Sequence, residues 1–125
     1  MIKQDEALKI HEILIDKYGG VRGVRDISAL NSALNRPFAS FNKTDLYPTE
    51  IDKAAAIIES IIQNHPFIDG NKRTGYVLMR LFLLENSYDI NATQEEKYDF
   101  VVNIAAGKYS IEDIKLWLKK HTVKI

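Results

Sequence analysis

The chain has 125 residues, and 17 Lys and Arg balance 17 Asp and Glu, so its formal net charge is zero. A chain of this length predicts one domain, covering residues 1–125. The charge balance excludes the strongly basic field that typifies nucleic-acid-binding domains, although a local basic patch is compatible with it, and we expect no direct nucleic-acid partner. The absence of cysteine excludes disulfides and thiolate metal sites.

The sequence gives no sign of a leader peptide or a membrane span. Its start, Met1 to Glu6, lacks a cationic region followed by an apolar stretch. The best candidate for a span, Tyr76 to Leu84, is far shorter than the roughly 20 residues required and contains Arg80. We therefore expect a cytoplasmic protein without a membrane partner.

Two helices are predicted at the beginning of the chain. Apolar residues at helical spacing predict a helix from about Asp5 to Lys17, ended by Gly19-Gly20. Asp26 suits the N-cap of a second helix, and Pro37 lies just past its end.

The middle of the chain predicts two further helices separated by a polar loop. The segment from Phe38 to Tyr47 is interpreted as a loop or a short irregular hairpin. Pro48 suits the first turn of a third helix. His65 to Gly70 is the predicted connection, and a fourth helix starts near Asn71. That helix is apolar nearly all round from Tyr76 to Leu84, which indicates a central buried element.

Capping boxes predict the last two helices. Thr93 with Glu96, and Ser110 with Asp113, have the spacing at which side chains and backbone cap a helix start reciprocally. Gly107 separates the two helices. The predicted fold class is therefore all-α, a compact single-domain bundle of about six helices.

The most informative stretch runs from His65 to Gly75. It contains a histidine, a carboxylate, an amide, two cations and two glycines, and the apolar run of the fourth helix follows it. A polar loop that leads into a buried helix presents backbone N–H groups and cations to phosphate. The pattern therefore indicates transfer of a phosphate-containing group to or from a hydroxyl.

Two residues of this stretch are suited to acid–base and metal chemistry. A lone histidine is more often structural, but His65 opens the loop and could accept the proton of an attacking hydroxyl. Asp69 has two interpretations, as the cap of the fourth helix or as a ligand of Mg²⁺ that bridges phosphate oxygens. His11 and His121 have no comparable surroundings, and we expect structural roles for both.

Four residues at the start of the fourth helix are candidates for phosphate binding. Gly70 permits a tight turn and close approach of a ligand, while Lys72 and Arg73 add positive charge. Asn71 could donate to a phosphate oxygen or bond its own backbone in the turn. The alternative for the group is a solvated helix start with ordinary surface cations.

The remaining residues of the stretch are predicted to support it. Phe67 is interpreted as a core anchor that fixes the loop, and Thr74 and Gly75 as packing residues beneath it. Asp26 and Arg36 are expected to form structural ion pairs with neighbours. Neither a P-loop nor a kinase-type Gly-rich loop occurs in the chain.

The run from His65 to Arg73 resembles the signature of the Fic/Doc superfamily, His-x-Phe-x-(Asp/Glu)-(Gly/Ala)-Asn-(Gly/Lys)-Arg, and matches every fixed position. Three further segments look similar to the Doc (death-on-curing) branch. These are Tyr18 to Asp26, Leu30 to Pro37 and Asp45 to Pro48. Together they extend the resemblance over nearly the whole chain.

The resemblance implies a bundle of about six helices and an enzyme that modifies proteins. Doc-type toxins carry lysine at the position of Lys72 and pass the terminal phosphate of a nucleoside triphosphate to a threonine of elongation factor Tu, which stops translation. In this view His65 is the general base and Asp69 the Mg²⁺ ligand. Gly70 to Arg73 would hold the phosphates of ATP or another nucleoside triphosphate.

The resemblance also implies an alternative reaction and a partner. Pro66 and Gly70 look more like the Fic branch, most of whose members transfer AMP from ATP to a protein hydroxyl. No serine or threonine has Glu four residues on, so the inhibitory signature of Fic proteins is missing. Inhibition would then come from a Phd-like antitoxin, disordered until it binds. A module that binds nucleotide or antitoxin without turnover is the third alternative.

Overall fold

The computed structural model describes residues 1–125 and confirms the mainly helical fold. Its helices are α1 (Gln4–Tyr18), α2 (Ile27–Asn35), α3 (Glu50–Asn64), α4 (Asn71–Glu85), α5 (Gln94–Ala105) and α6 (Ile111–His121), with one 3₁₀ turn at Arg36–Phe38. The strands are β1 (Ser40–Phe41), β2 (Thr44–Asp45), β3 (Tyr88–Ile90) and β4 (Thr122–Lys124). None of the helices combines the length and the apolar character that crossing a bilayer requires.

Helices α3 and α4 form the central pair, and they pack against each other more extensively than any other two elements. Gly75 is what lets them approach so closely. A Cβ at this position would lie 3.1 Å from Cγ1 of Ile62 and 3.2 Å from Cγ2 of Ile61. The buried side chains around this contact belong to a single hydrophobic core, to which α2, α5 and α6 also contribute. The loop that joins α3 to α4 is therefore held at both ends by the most tightly packed part of the molecule.

Side-chain caps set the beginnings of most helices. Asp26 caps α2, accepting a hydrogen bond from the Ala29 N–H at 3.0 Å, and the capping boxes predicted for α5 and α6 are both present. A capping box that we did not predict opens α3, between Thr49 and Asp52. It corrects the expectation that Pro48 lies in the first turn of that helix. Pro48 precedes the cap because the Thr49 side chain defines the start.

The segment before α3 is a hairpin, as one of the two sequence interpretations had it. Ser40 pairs with Asp45, and Phe41 pairs with Thr44. Asn42 and Lys43 form the two-residue turn, with φ values of 51° and 63°. Positive φ at both central residues gives a turn whose twist matches that of the flanking strands.

A second ladder, between β3 and β4, was not predicted. Tyr88 pairs with Lys124 and Ile90 with Thr122, so the end of the chain returns to the strand that follows α4. Each strand has only three residues, which is too short for an alternating pattern to be recognised in the sequence. The ladder adds a small antiparallel element to a fold that is otherwise all-α.

Candidate functional site

Two residues in the left-handed conformation shape the motif loop, which we define as His65–Gly70. His65 ends α3 with φ 47° and ψ 60°, and Gly70 begins α4 with φ 78°. Arg25 fixes the end of α3, because its guanidinium donates to the carbonyl of His65 at 2.6 Å and to that of Asn64 at 2.5 Å. The His65 side chain is exposed, and its ring makes no hydrogen bond within the protein. This imidazole is therefore available to an incoming group.

A buried aromatic pair anchors the middle of the loop. Phe67 is fully buried, and its ring stacks on that of His11 with centroids 3.9 Å apart and planes 6° from parallel. Nε2 of His11 lies 2.8 Å from the backbone carbonyl of Asp69. Since a carbonyl only accepts, Nε2 carries the proton and donates it. His11 has the structural role that its sequence surroundings suggested, but its place under the motif loop was not foreseen.

The side-chain amide of Asn71 is used within the turn, which is the second of the two roles that the sequence left open. Its Nδ2 donates to the Phe67 carbonyl at 2.9 Å, and its Oδ1 accepts from the Phe67 N–H at 3.0 Å. Asn71 is 8% exposed. The residue thus shapes the loop through its side chain, while its backbone N–H lies in the first turn of α4.

Asp69 does not cap α4, which corrects one of the two interpretations of this residue. Gly70 is the N-cap, and no side chain caps the helix. One carboxylate oxygen of Asp69 accepts from the Val21 N–H at 3.0 Å, and the other accepts from the Gly70 N–H at 2.8 Å. These two bonds lower the pKa of Asp69 below its ordinary value, and the bond from Val21 has the larger effect. The exposed carboxylate is therefore charged at neutral pH.

The first turn of α4 presents two exposed cations beside this carboxylate. Lys72 has no ion pair, and the guanidinium of Arg73 lies 4.3 Å from the centroid of the Tyr18 ring. Because no side chain caps α4, the N–H groups of its first turn remain available for an anion. Thr74 and Gly75 follow on α4 and are buried.

All of the candidate catalytic, metal and phosphate residues line one cleft of about 610 Å³. Its opposite wall is α5, which contributes an exposed aromatic residue, Tyr98, and a third cation, Lys97. The complete lining consists of His65, Ile68, Asp69, Gly70, Asn71, Lys72, Arg73, Tyr76, Gln94, Lys97, Tyr98, Val101, Val102 and Ala105. With three cations and one carboxylate, the cleft is positive although the chain as a whole is neutral. The residues from α5 were missed by the sequence analysis, because nothing in their local pattern distinguishes them from an ordinary helix surface.

The donor atoms fit Mg²⁺ only in the presence of a phosphate ligand. No cluster of three or more His, Cys, Asp or Glu side chains that could hold a metal ion occurs in the chain. Asp69 is the sole carboxylate of the cleft. Mg²⁺ is commonly held by one or two carboxylates together with phosphate oxygens and water. The site therefore suits a magnesium–nucleotide complex rather than a free metal ion.

Comparison with known proteins agrees with the motif. The Fic/DOC family matches residues 1–83. The chain is 41% identical over 75 residues to Toxin Doc of Mycolicibacterium smegmatis, which is 60% of this chain and 58% of that relative. It is 27% identical over 122 residues to Protein kinase doc of Escherichia phage P1, which is 95% of this chain and 93% of the phage protein. The family match covers about two thirds of the chain and includes the complete motif loop, and the chain therefore belongs to the Fic/DOC family.

Proposed function

We propose that this protein is a toxin that transfers the terminal phosphate of ATP, or of another nucleoside triphosphate, to a threonine hydroxyl of a protein target. The observation that carries the proposal is the convergence of His65, Asp69 and Gly70–Arg73 on one positive cleft. The names of the relatives, a toxin and a protein kinase, support it. Elongation factor Tu is the target that we propose, so that modification blocks translation.

The proposed reaction begins with deprotonation of the attacking hydroxyl. The exposed imidazole of His65, whose ring makes no hydrogen bond in the protein, takes the proton of the threonine hydroxyl. The hydroxyl oxygen then bonds to the terminal phosphorus, and the bond from that phosphorus to the bridging oxygen breaks. The nucleoside diphosphate leaves with that oxygen. His65 is thereby the catalytic base.

The remainder of the motif holds the phosphates. Lys72 and Arg73 supply positive charge, and the backbone N–H groups at the start of α4 supply donors of fixed direction. Asp69 would hold Mg²⁺, which when bound neutralises charge on the phosphate oxygens. The role of Asn71 is to maintain the loop through Phe67 rather than to contact phosphate with its amide. Phosphoryl transfer depends mainly on such positioning and charge stabilisation.

The α5 wall of the cleft suits the nucleobase. Val101, Val102 and Ala105 contribute apolar surface to this wall, and Tyr98 is 69% exposed. Aromatic side chains stack on bases of any identity, so this wall gives affinity without specifying the base. The nucleotide would therefore lie with its phosphates at the α4 terminus and its base against α5.

Transfer of AMP is the second candidate, and Gly70 is the observation that favours it. The Fic branch has glycine at this position, whereas many Doc toxins have alanine. Gly70 has φ 78°, and a Cβ there would lie 3.2 Å from Cδ1 of Ile15. The local backbone is thus suited to glycine, as in the AMP-transferring branch.

We further propose that a Phd-like antitoxin inhibits the protein, and that the single domain acts in the cytoplasm. The chain lacks the Fic inhibitory signature, so inhibition would be supplied by another chain. The proposal predicts growth arrest on expression at low dose, relieved by His65→Ala. A binding module without turnover would cause no arrest that depends on His65.

The decisive experiment incubates the purified protein with elongation factor Tu, Mg²⁺ and ATP and measures the mass of the target. A gain of one phosphate supports the kinase, and a gain of one AMP supports the alternative. If elongation factor Tu is unchanged, a whole-cell lysate is incubated with ATP labelled at either the terminal or the first phosphate. Failure to label any protein with either form would overturn both enzymatic functions.

A further inference from the structure

The last residue of α1 and the connection that follows it contact the candidate site at two charged side chains. We propose that Tyr18, Gly20 and Val21, which we call the brace, position the Asp69 carboxylate and the Arg73 guanidinium for a magnesium–nucleotide complex. We also propose that the Asp69 carboxylate can take this position only if residue 20 has no side chain. The inference rests on the proposed function, since it assigns the brace a role in the same site.

Val21 connects the brace to the carboxylate directly. Its backbone N–H donates to Oδ2 of Asp69 at 3.0 Å, across 48 positions of sequence. The other oxygen accepts from Gly70 at 2.8 Å, so the two bonds together fix the plane of the carboxylate. Each carboxylate oxygen keeps one lone pair that these two bonds do not use. Removing a partner that orients a metal ligand in this way commonly lowers metal affinity about 10- to 100-fold.

Gly20 leaves the space that the carboxylate occupies. A Cβ at this position would lie 2.8 Å from Oδ2 of Asp69 and 2.9 Å from Cδ1 of Ile15. The end of the Ile15 side chain can rotate, but any shift of Oδ2 changes its hydrogen bond to the Val21 N–H. Alanine at position 20 would therefore displace the carboxylate from its present orientation. The φ of +120° at Gly20 adds backbone strain to any such substitution.

Tyr18 connects the brace to the guanidinium. The guanidinium of Arg73 lies over the Tyr18 ring at 4.3 Å from its centroid, within the distance at which a cation is attracted to an aromatic face. The ring is 54% exposed, so it contributes little to the core and can be replaced without opening a cavity. Its contact restricts a long side chain that would otherwise sample many rotamers in solvent.

Gly20→Ala and Gly19→Ala form the matched test of the first contact. Gly19 has φ +87°, and a Cβ there meets no atom within 4 Å, so its substitution causes comparable backbone strain without a contact to Asp69. Binding of a non-hydrolysable ATP analogue is measured by calorimetry as Mg²⁺ is titrated. We expect Gly20→Ala to need about tenfold more Mg²⁺ for half-maximal binding, and Gly19→Ala to stay within about twofold of the original protein. Equal Mg²⁺ requirements in the two variants would overturn the proposal for Gly20.

Tyr18→Leu and Tyr18→Phe test the second contact, and they remain informative if Gly20→Ala does not fold. Loss of the ring should weaken binding of the analogue about two- to fivefold both with and without Mg²⁺, because the contact acts on Arg73 and not on the metal ligand. Phenylalanine keeps the ring and should restore binding. Equal affinities of the two variants would overturn the role of Tyr18.

Exchange of the Val21 amide hydrogen separates failure of the brace from failure of the proposed function. Exchange measured by NMR without nucleotide should be slow in the original protein and in Gly19→Ala, and fast in Gly20→Ala and Asp69→Ala. Slow exchange in Gly20→Ala would refute the steric argument whatever the protein binds. If instead the exchange pattern is as expected but neither the original protein nor any variant binds nucleotide, the proposed function fails. The brace would then orient Asp69 without a role in nucleotide binding.

Discussion

The side-chain amide of Asn71 and the backbone of Phe67 are joined by two hydrogen bonds, of 2.9 and 3.0 Å, that close the motif loop on itself. Both residues are buried, so water cannot replace these bonds. The loop is thus rigid at its centre, while the side chains on either side of this pair, His65 and Lys72, are exposed to the cleft. We therefore expect two neighbours in the sequence to serve different purposes, Asn71 stability and Lys72 ligand binding.

Asn71→Ala should therefore lower the stability of the protein, whereas Lys72→Ala should lower its affinity for nucleotide. Removing the amide leaves the buried N–H and carbonyl of Phe67 without partners, which should lower the free energy of unfolding by about 2–4 kcal/mol. Lys72→Ala should change it by less than about 0.5 kcal/mol, because the side chain is exposed and unpaired, but should weaken nucleotide binding. Urea denaturation and calorimetric nucleotide titration measure the two effects. A stable Asn71→Ala protein would contradict the structural role of the amide.

His65→Ala should abolish transfer, with a loss of at least about 100-fold in kcat if the imidazole is the general base. The left-handed backbone at His65, with φ 47°, strains alanine slightly, so the variant should also lose some thermal stability. His65→Asn is the control for this strain because asparagine tolerates the left-handed region. It should regain the stability without regaining activity. Measurable kcat in either variant close to that of the original protein would exclude the general-base role.

Tyr98→Ala should raise the KM for the nucleotide roughly fivefold or more and leave kcat nearly unchanged, because Tyr98 lines the α5 wall, where we propose that the base binds. Tyr98→Phe keeps the stacking surface and should behave as the original protein does. Leu116, which is similarly exposed but lies on α6 outside the cleft, provides a control through Leu116→Ala. An unchanged KM in Tyr98→Ala would place the base elsewhere.

Asp89→Asn should destabilise the protein at neutral pH and much less in acid. The guanidinium of Arg80 donates to both carboxylate oxygens, at 2.8 and 3.1 Å, and this lowers the pKa of Asp89 from its ordinary value of 3.8. A carboxylate whose pKa falls on folding contributes stability above its unfolded pKa and loses it as the pH falls through its folded pKa. The difference in unfolding free energy between the two proteins should thus be full at about pH 7 and smaller at about pH 2.5, which is below the unfolded pKa.

Glu85→Gln is the matched control for this titration, since Glu85 is exposed on α4, the same helix as Arg80, but has no ion pair. Its effect on the free energy of unfolding should be small, because the substitution breaks no ion pair. If Asp89→Asn shows the same difference at both pH values, the pair with Arg80 contributes no linked stability.

The helices could be predicted because their signals are local. The apolar period of α3 and the capping boxes at Thr93 and Ser110 each depend on residues within a few positions of one another, and the structure has them where the sequence indicated. The ladder between β3 and β4 depends on the pairing of Ile90 with Thr122, residues that are far apart in the sequence, so no local pattern predicts it. The prediction that Pro48 lies in the first turn of α3 was wrong, because Pro48 precedes the N-cap, Thr49.

Only the motif-loop side of the candidate site could be predicted. His65 and Gly70–Arg73 belong to one short stretch of the chain, so their proximity follows from the sequence itself. Tyr98 and Val21 reach the same site from other elements, and their place depends on how α5 and the connection between α1 and α2 pack. The inward orientation of the Asn71 amide is likewise a product of the folded loop, since the sequence allowed either direction.

The ladder between β3 and β4 has a consequence for the cleft, although none of its residues lines it. It joins the two ends of the segment from residue 91 to residue 121, so that this segment, which carries α5, is a loop closed at its base. Closing a loop removes conformations from its members without contacting them individually. The β3–β4 ladder therefore restrains α5, which forms one wall of the cleft, through six residues that do not line the cleft.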